Sequence, residues 1–386
     1  MKILFVGDFV LEDEKSICVE NNLQDFINDH DFKLCNFEGA IKKDSDIPIQ
    51  KVGPHVFNGE MSPKILQNLG VNIVTLANNH IMDFGSSALE RTINNLSENG
   101  IRCIGAGMSY KEAYKPLILG EKNKKKVAFI NACQAEFGVC KNIFCKAGYA
   151  WILNPEIKKM IQECAKECDE IIVLPHAGLE DVIFPLPEWK NVYHELIDEI
   201  VKHGKRGFVI ASHPHIVQGI EYYKDSPIVY SLGNFYFWKE SLRNNNEWNR
   251  SIVVSLDTDN NKFLIKRISC KDGKLSFSNS ESFINDIEER NKILLDSSKL
   301  EKKADELAEE LWKQYYCSYY VSLEKSISDL SFFDLIKEFV RRILVRKNKT
   351  EAVNETLLLH NLQIETHKWI VERYLYNFNC RNNKFL

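Results

Sequence analysis

An α/β fold followed by a helical C-terminal appendage is predicted by three observations. Strand-length apolar runs recur along the first 240 residues, and they close on Gly, Asn, Asp, Glu or His. Segments with apolar residues at helical spacing lie between them, the alternation expected of strands covered by helices. After about Phe283 the composition shifts to Glu, Lys, Leu and aromatic residues at helical spacing, so residues 1–283 are expected to form the main domain and 284–386 a helical extension.

Composition sets the outer limits. The 386 residues suffice for one large domain with an appendage, or for two domains. An apolar content of 44% and a charged content of 27% are those of an ordinary globular chain, and a net charge of −4 gives no reason to expect nucleic-acid binding. The chain passes from Met1 straight into a strand without a signal-type leader, and it has no transmembrane-length apolar run, so a cytoplasmic location is expected. Eleven cysteines scattered through apparent strands and helices suit buried reduced thiols. Cys133, Cys140 and Cys145 match no paired zinc spacing and read as free thiols in and around a loop.

The first strand, residues 2–6, ends in Gly7-Asp8, a carboxylate beside a residue that gives the backbone room. It reads either as a turn or cap residue or as a metal ligand. An amphipathic segment at 19–28 leads to a second strand at 32–37. There Asn36 and Glu38 stand two apart on one side, either capping the strand end or, for Glu38, ligating and bridging cations. The loop 53–62 could cover a site; its His55 either bonds locally or touches substrate. A third strand, 71–77, runs into Asn78-Asn79-His80 and, through Asp83 and Gly85, into a helix at 86–99. Asn79 offers a neutral oxygen to a metal, His80 can bind an anion or pass a proton, and Asp83 is near enough to orient that imidazole.

The turn after 101–104 is glycine-rich but lacks a dinucleotide fingerprint, and the basic run 122–126 reads as a solvated hairpin tip. A helix at 155–167 precedes the strand 170–175, which ends in His176-Ala-Gly178-Leu-Glu180; Glu180 is expected to support a ligand or act as a base. A helix at 189–203 leads to the strand from Phe208 and to His213-Pro214-His215. Pro214 is expected to hold His213 extended so that both imidazoles address one small volume. Another strand closes on Gly233-Asn234, and strand-like segments at 251–256, 263–269 and 275–279 are expected to form an antiparallel meander completing a second sheet.

Six residues, Asp8, Glu38, Asn79, His176, His213 and His215, thus come from five strand ends, and all carry hard or borderline metal-binding groups. One or two divalent ions (Mn, Fe or Zn) account for them, in the position where open α/β sheets place ligands. The chemistry that follows is hydrolysis.

Taken together, Gly7-Asp8, Asn36-x-Glu38-Gly39, Asn78-Asn79-His80-x-x-Asp83-x-Gly85, His176-x-Gly178-x-Glu180, His213-Pro-His215 and 230–235 (Tyr-Ser-Leu-Gly-Asn-Phe) resemble the poly-γ-glutamate capsule-synthesis, CapA-like family of the calcineurin-like metallophosphoesterase superfamily. The resemblance implies a four-layer α/β/β/α sandwich with the metal site at one edge. It also implies one ion on Asn79, His176 and His213, a second on Asp8 and His215, Glu38 in the bridging position and His80 as the catalytic histidine. Two departures are visible: Val10 stands where the superfamily has a histidine, and Asn36-Phe-Glu38 replaces its second acidic motif.

The expected activity is metal-dependent hydrolysis of a phosphoester or of an amide of an anionic, polyglutamate- or capsule-type substrate, with Asn36, His55 and Asn234 contacting substrate. The alternative is a non-catalytic binding or assembly protein. In the extension, Arg341, Arg342, Arg346, Lys347 and Lys349 beside an apolar stripe form either a solvated face or a contact for a protein partner or an anionic membrane surface.

Overall fold

The computed structural model describes residues 1–12, 17–120, 125–237, 245–316, 336 and 362–381. The basic run at 122–124 and the basic cluster at 341–349 lie outside the described residues. Met1–Ile49 and His55–Leu300 form one compact unit; Gln50–Pro54 and Glu301–Leu386 form another.

Lys2–Val10 is the strand on which the first unit is built. All but its first residue are buried, the pattern of a strand covered on both faces. It pairs in parallel with Phe32–Phe37, which continues to Ile73–Thr75 and Arg102–Ile104, and in parallel with Asn234–Phe237. On its other side it pairs antiparallel with Arg250–Asp257, followed by Lys262–Lys271 and Lys274–Phe277. The antiparallel meander therefore extends the sheet of the first strand instead of completing the second. Its period-two pattern was readable, but its partner was fixed by pairing of residues 2–5 with 254–257.

A six-stranded sheet holds Ile220–Tyr223, Ser226–Val229, Arg206–Ile210, Glu170–His176, Val127–Cys133 and Leu117–Leu119, in that spatial order. The apolar faces of the two sheets share a core in which Ile3, Phe5 and Ile252 meet Phe129, Ile172 and Phe208. Phe5 and Phe129 rings lie 6.3 Å apart there; truncating such a buried aromatic to Ala costs about 3–5 kcal/mol. The other face of the larger sheet buries the apolar sides of Asn21–Asn28, Ser62–Asn68 and Gly85–Glu98 through Leu23, Leu66, Leu89 and Leu96. Pro155–Glu167 starts on an Asn154 side-chain cap and, like Pro187–Lys202, carries Pro at its first turn.

Glu281–Leu295 belongs to the first unit: Phe283 is fully buried in the shared core and Arg290 is 5% exposed. The break between units thus falls after Leu300, one helix later than the compositional shift. In the second unit Trp312 stacks on Tyr374, and Arg373 of helix Glu365–Arg381 reaches Glu301 and Asp305 at 2.6 and 2.9 Å. No helix of the described residues is long and apolar enough to cross a membrane.

Two cysteines depart from the reduced-thiol expectation. Cys140 and Cys145 form a disulfide, their Cα atoms 5.3 Å apart across a short loop, within bridging range. Cys133 is buried and lies outside that disulfide.

Candidate metal centre

The parallel strands of both sheets end at the same edge, and the polar residues gather there. Asp8 lies in Lys2–Val10, Asn36 in Phe32–Phe37, and His176 closes Glu170–His176. Two glycines make the approach possible. A Cβ on Gly7 would sit 1.7 Å from the Gly233 carbonyl oxygen, whose chain pairs with the first strand there. Gly39, at φ +81°, turns the chain just after Glu38, and a Cβ there would meet the Val56 carbonyl at 2.5 Å.

Glu38 is the centre of the cluster. It is fully buried, and among the described residues neither side-chain oxygen has a hydrogen-bond partner. Around its Oε1 stand three imidazole nitrogens: His215 Nε2 at 3.7 Å, and His80 Nε2 and His176 Nε2 at 3.9 Å each. Asp8, Glu38 and His215 each present a ligand atom within 4.8 Å of the other two. A carboxylate stripped of water and left without donors is costly unless a cation balances it. The donor set therefore fits a divalent metal ion.

Next to it, His176 Nε2 lies 3.1 Å from both Asn79 Oδ1 and His213 Nδ1. The Asn36 amide donates to Asp8 Oδ1 at 2.8 Å and approaches His176 Nδ1 at 3.2 Å, so it ties the two halves of the cluster together. All six predicted ligands are at most 4% exposed. His213 is not extended as expected: its φ is +102°, and that of His215 is +62°. Left-handed backbone at a non-glycine residue costs about 1–3 kcal/mol and is held by its surroundings. Here the His213 amide is directed at Asp8 Oδ2, 3.4 Å away.

Electrostatics separate the imidazoles. Burial pushes His176 well below the usual histidine range, and the neighbouring His213, His215 and His80 push it the same way. For His215 burial also opposes the charge, but Glu38 and a hydrogen bond to Asp8 outweigh it and push the group up to about 10. The Glu38 carboxyl is raised well above the usual range by burial and by Asp8, Glu180 and Asp83, although His215 pulls it the other way.

The other predicted residues take several places. His80 Nδ1 is 2.7 Å from Asp83 Oδ2, which also accepts the Val56 amide at 2.9 Å. Glu180 is exposed, yet near enough for its charge to act on Glu38 and His215. His55 directs Nε2 at the Ile49 carbonyl, 2.8 Å away, and packs its ring by Phe84. Asn234 sits behind the cluster, its Oδ1 taking the His215 Nδ1–H at 3.0 Å.

Two residues were not singled out from the sequence. Gln134, 1% exposed, approaches His213 Nε2 at 3.2 Å and accepts the Gly178 amide at 3.1 Å. Trp248 lies against His215, ring centroids 4.5 Å apart. The signal available for Gln134 was its place just past a buried strand; Trp248 lies in a polar stretch with no period. Val10 packs with Val56, Phe237 and Trp248 in an apolar cluster, so it supplies packing where a ligand would supply a lone pair.

A family model described as bacterial capsule synthesis protein PGA_cap matches residues 2–239. The PGA biosynthesis protein CapA of Bacillus subtilis is 25% identical over 244 residues, covering 60% of this chain and 62% of the relative. The capsule biosynthesis protein CapA of Bacillus anthracis is 26% identical, covering 57% and 53%. A probable polyglutamine synthesis accessory protein of Mycobacterium tuberculosis is 26% identical, covering 53% and 55%. The chain thus spans less than two thirds of the length of each of these curated relatives. Among solved structures, a 5′-nucleotidase from Candida albicans matches with a TM-score of 0.43 at 15% identity, covering 81% of this chain and 57% of that one. The 5′-nucleotidase precursor from Thermus thermophilus matches with a TM-score of 0.38 at 13% identity, covering 69% and 54%. Because the family match covers residues 2–239, more than half of the chain, the chain belongs to the bacterial capsule synthesis protein PGA_cap family.

Proposed function

We propose that this chain is a metal-dependent hydrolase of the calcineurin-like metallophosphoesterase type, acting on a phosphoester or on an amide of an anionic polyglutamate- or capsule-type polymer. The observation that carries the reading is Glu38, whose two buried oxygens have no hydrogen-bond partner among the described residues and whose Oε1 faces three imidazoles. The names of the Bacillus and Mycobacterium relatives, which refer to PGA, capsule and polyglutamine, support the polymeric substrate.

Asn79, His176 and His213 would hold one ion and Asp8 and His215 a second, with Glu38 shared. A bound Mn, Fe or Zn ion supplies Lewis-acid polarisation of a phosphoryl or carbonyl oxygen and a lower pKa for water. The chain's own residues do the rest. Asp83 fixes His80 through Nδ1, so Nε2 faces the cluster and can hold the proton that the leaving oxygen or nitrogen needs. Asn36 and Asn234 keep Asp8, His176 and His215 in place.

Metal analysis of protein purified without chelator, combined with hydrolysis assays on p-nitrophenyl phosphate, bis-p-nitrophenyl phosphate and γ-glutamyl amides, tests the reading. Stoichiometric metal and turnover are expected, and His213→Ala should lose both. Absence of metal uptake together with absence of turnover after Mn, Fe or Zn is added would overturn it. A non-catalytic assembly protein would instead bind polyglutamate without turnover, and His80→Ala would leave that binding unchanged.

A further inference from the structure

The His215 ring is held from three directions, and one residue takes part in two of them. The Trp248 indole lies over its face at 4.5 Å with a 31° tilt, and Phe237 meets it edge-on at 5.1 Å. The Trp248 carbonyl accepts the Asn234 amide at 3.3 Å, and Asn234 Oδ1 in turn takes the His215 Nδ1–H at 3.0 Å. Nδ1 faces Asn234 Oδ1, with Asp8 Oδ2 also 3.5 Å from it, and Nε2 is the nitrogen turned toward Glu38. A rotation of the imidazole about its Cβ–Cγ bond would break the Asn234 contact and drive the ring into the indole.

Trp248 is itself anchored. Its indole N–H donates to Asp181 Oδ1 at 2.5 Å. The preceding Glu247 is held by the guanidinium of Arg290 at 2.6 Å, and Arg290 also donates to the Val217 carbonyl at 2.5 Å. Arg250 reaches Asp286 at 2.9 Å. Helix Glu281–Leu295 thus holds the segment that carries the tryptophan.

We infer that Trp248 is the positioning residue for His215, fixing the rotamer and the nitrogen that this imidazole offers to a divalent cation. The inference rests on the metal-centre reading above. It follows from a general property of ligand imidazoles: the group on the far nitrogen sets which nitrogen is free and where its lone pair points. Here a flat aromatic wall adds the rotational constraint that one hydrogen bond does not provide.

The test uses the full chain, stripped of metal and titrated with Mn²⁺ by calorimetry. Removing a partner of this kind weakens metal binding about tenfold or more, so that loss is expected for Trp248→Leu. Trp248→Phe, which keeps a flat ring on the imidazole, should recover most of the affinity. The visible spectrum of the Co²⁺-loaded protein should change in Trp248→Leu and not in Leu96→Ala, which is destabilised in a remote part of the core. Trp248→Leu binding within about twofold of wild type, or Trp248→Phe as weak as Trp248→Leu, would overturn the inference, since both depart from the loss expected of a positioning partner. If wild type itself took up no Mn²⁺, the metal-centre reading would fall and this inference with it. If wild type bound and Trp248→Leu bound equally well, only the positioning role would fall.

Discussion

His30 shows how a single buried imidazole links stability to pH. It is 4% exposed, with Nδ1 on the Phe26 carbonyl at 2.8 Å and Nε2 on Ser255 Oγ at 2.7 Å. Burial holds it below its ordinary value of 6.5 despite the Phe26 bond. The unfolded chain therefore takes up a proton more readily than the folded one. The contribution of the neutral imidazole is complete above about pH 6.5 and is lost as pH falls from there toward the folded-state value. Urea unfolding should give a lower midpoint at pH 5.5 than at pH 7.5, and the difference should shrink in His30→Gln, which keeps a donor and an acceptor. At this scale most of the candidate site was readable. Asp8, Glu38, Asn79, His176, His213 and His215 each follow a strand-length run, and polar groups in that position need a reason. Gln134 and Trp248 were not readable. The first is placed by a backbone bond to His176 and the second by ion pairs to a helix some forty residues further on, and neither leaves a local pattern.

At the scale of elements, strand existence was legible and strand partnership was not. Alternation and apolar runs marked Phe32–Phe37, Glu170–His176 and Arg206–Ile210, whereas the meander's place beside the first strand depends on contacts spanning about 250 residues. The expectation that Pro214 would extend His213 rested on a local preference, and tertiary constraints outweighed it. Gly7 carries the sharpest prediction here. Its absent side chain is filled by a backbone carbonyl of a neighbouring segment, which cannot move as a side chain can. Gly7→Ala should destabilise by roughly 1–3 kcal/mol or more, read as a drop in the denaturant midpoint, and should weaken metal binding because Asp8 follows directly. A midpoint unchanged from wild type would show that the two segments part more easily than their packing implies.

For the whole molecule, the family match covers residues 2–239, the span that holds the candidate site. Composition placed a division near 283, one helix before the observed break after Leu300, because Glu281–Leu295 has the charge and period of the following helices while burying Phe283 in the shared core. The disulfide of Cys140 and Cys145 was invisible to a count of spacings, since a loop's path decides which thiols meet. The arrangement of the sheets has a thermodynamic consequence. Asp8 and Asn36 belong to one layer and His176 to the other, and His213 and His215 follow a strand of that second layer. An ion gripped by both would act as a rivet through the sandwich, so sliding the layers apart would first require its release. At a free concentration one hundred times the dissociation constant, such a ligand adds about 2.7 kcal/mol to the folded state. Heating scans should show a midpoint that climbs with added Mn²⁺ and falls back with chelator, while a variant lacking His213 stays indifferent to both.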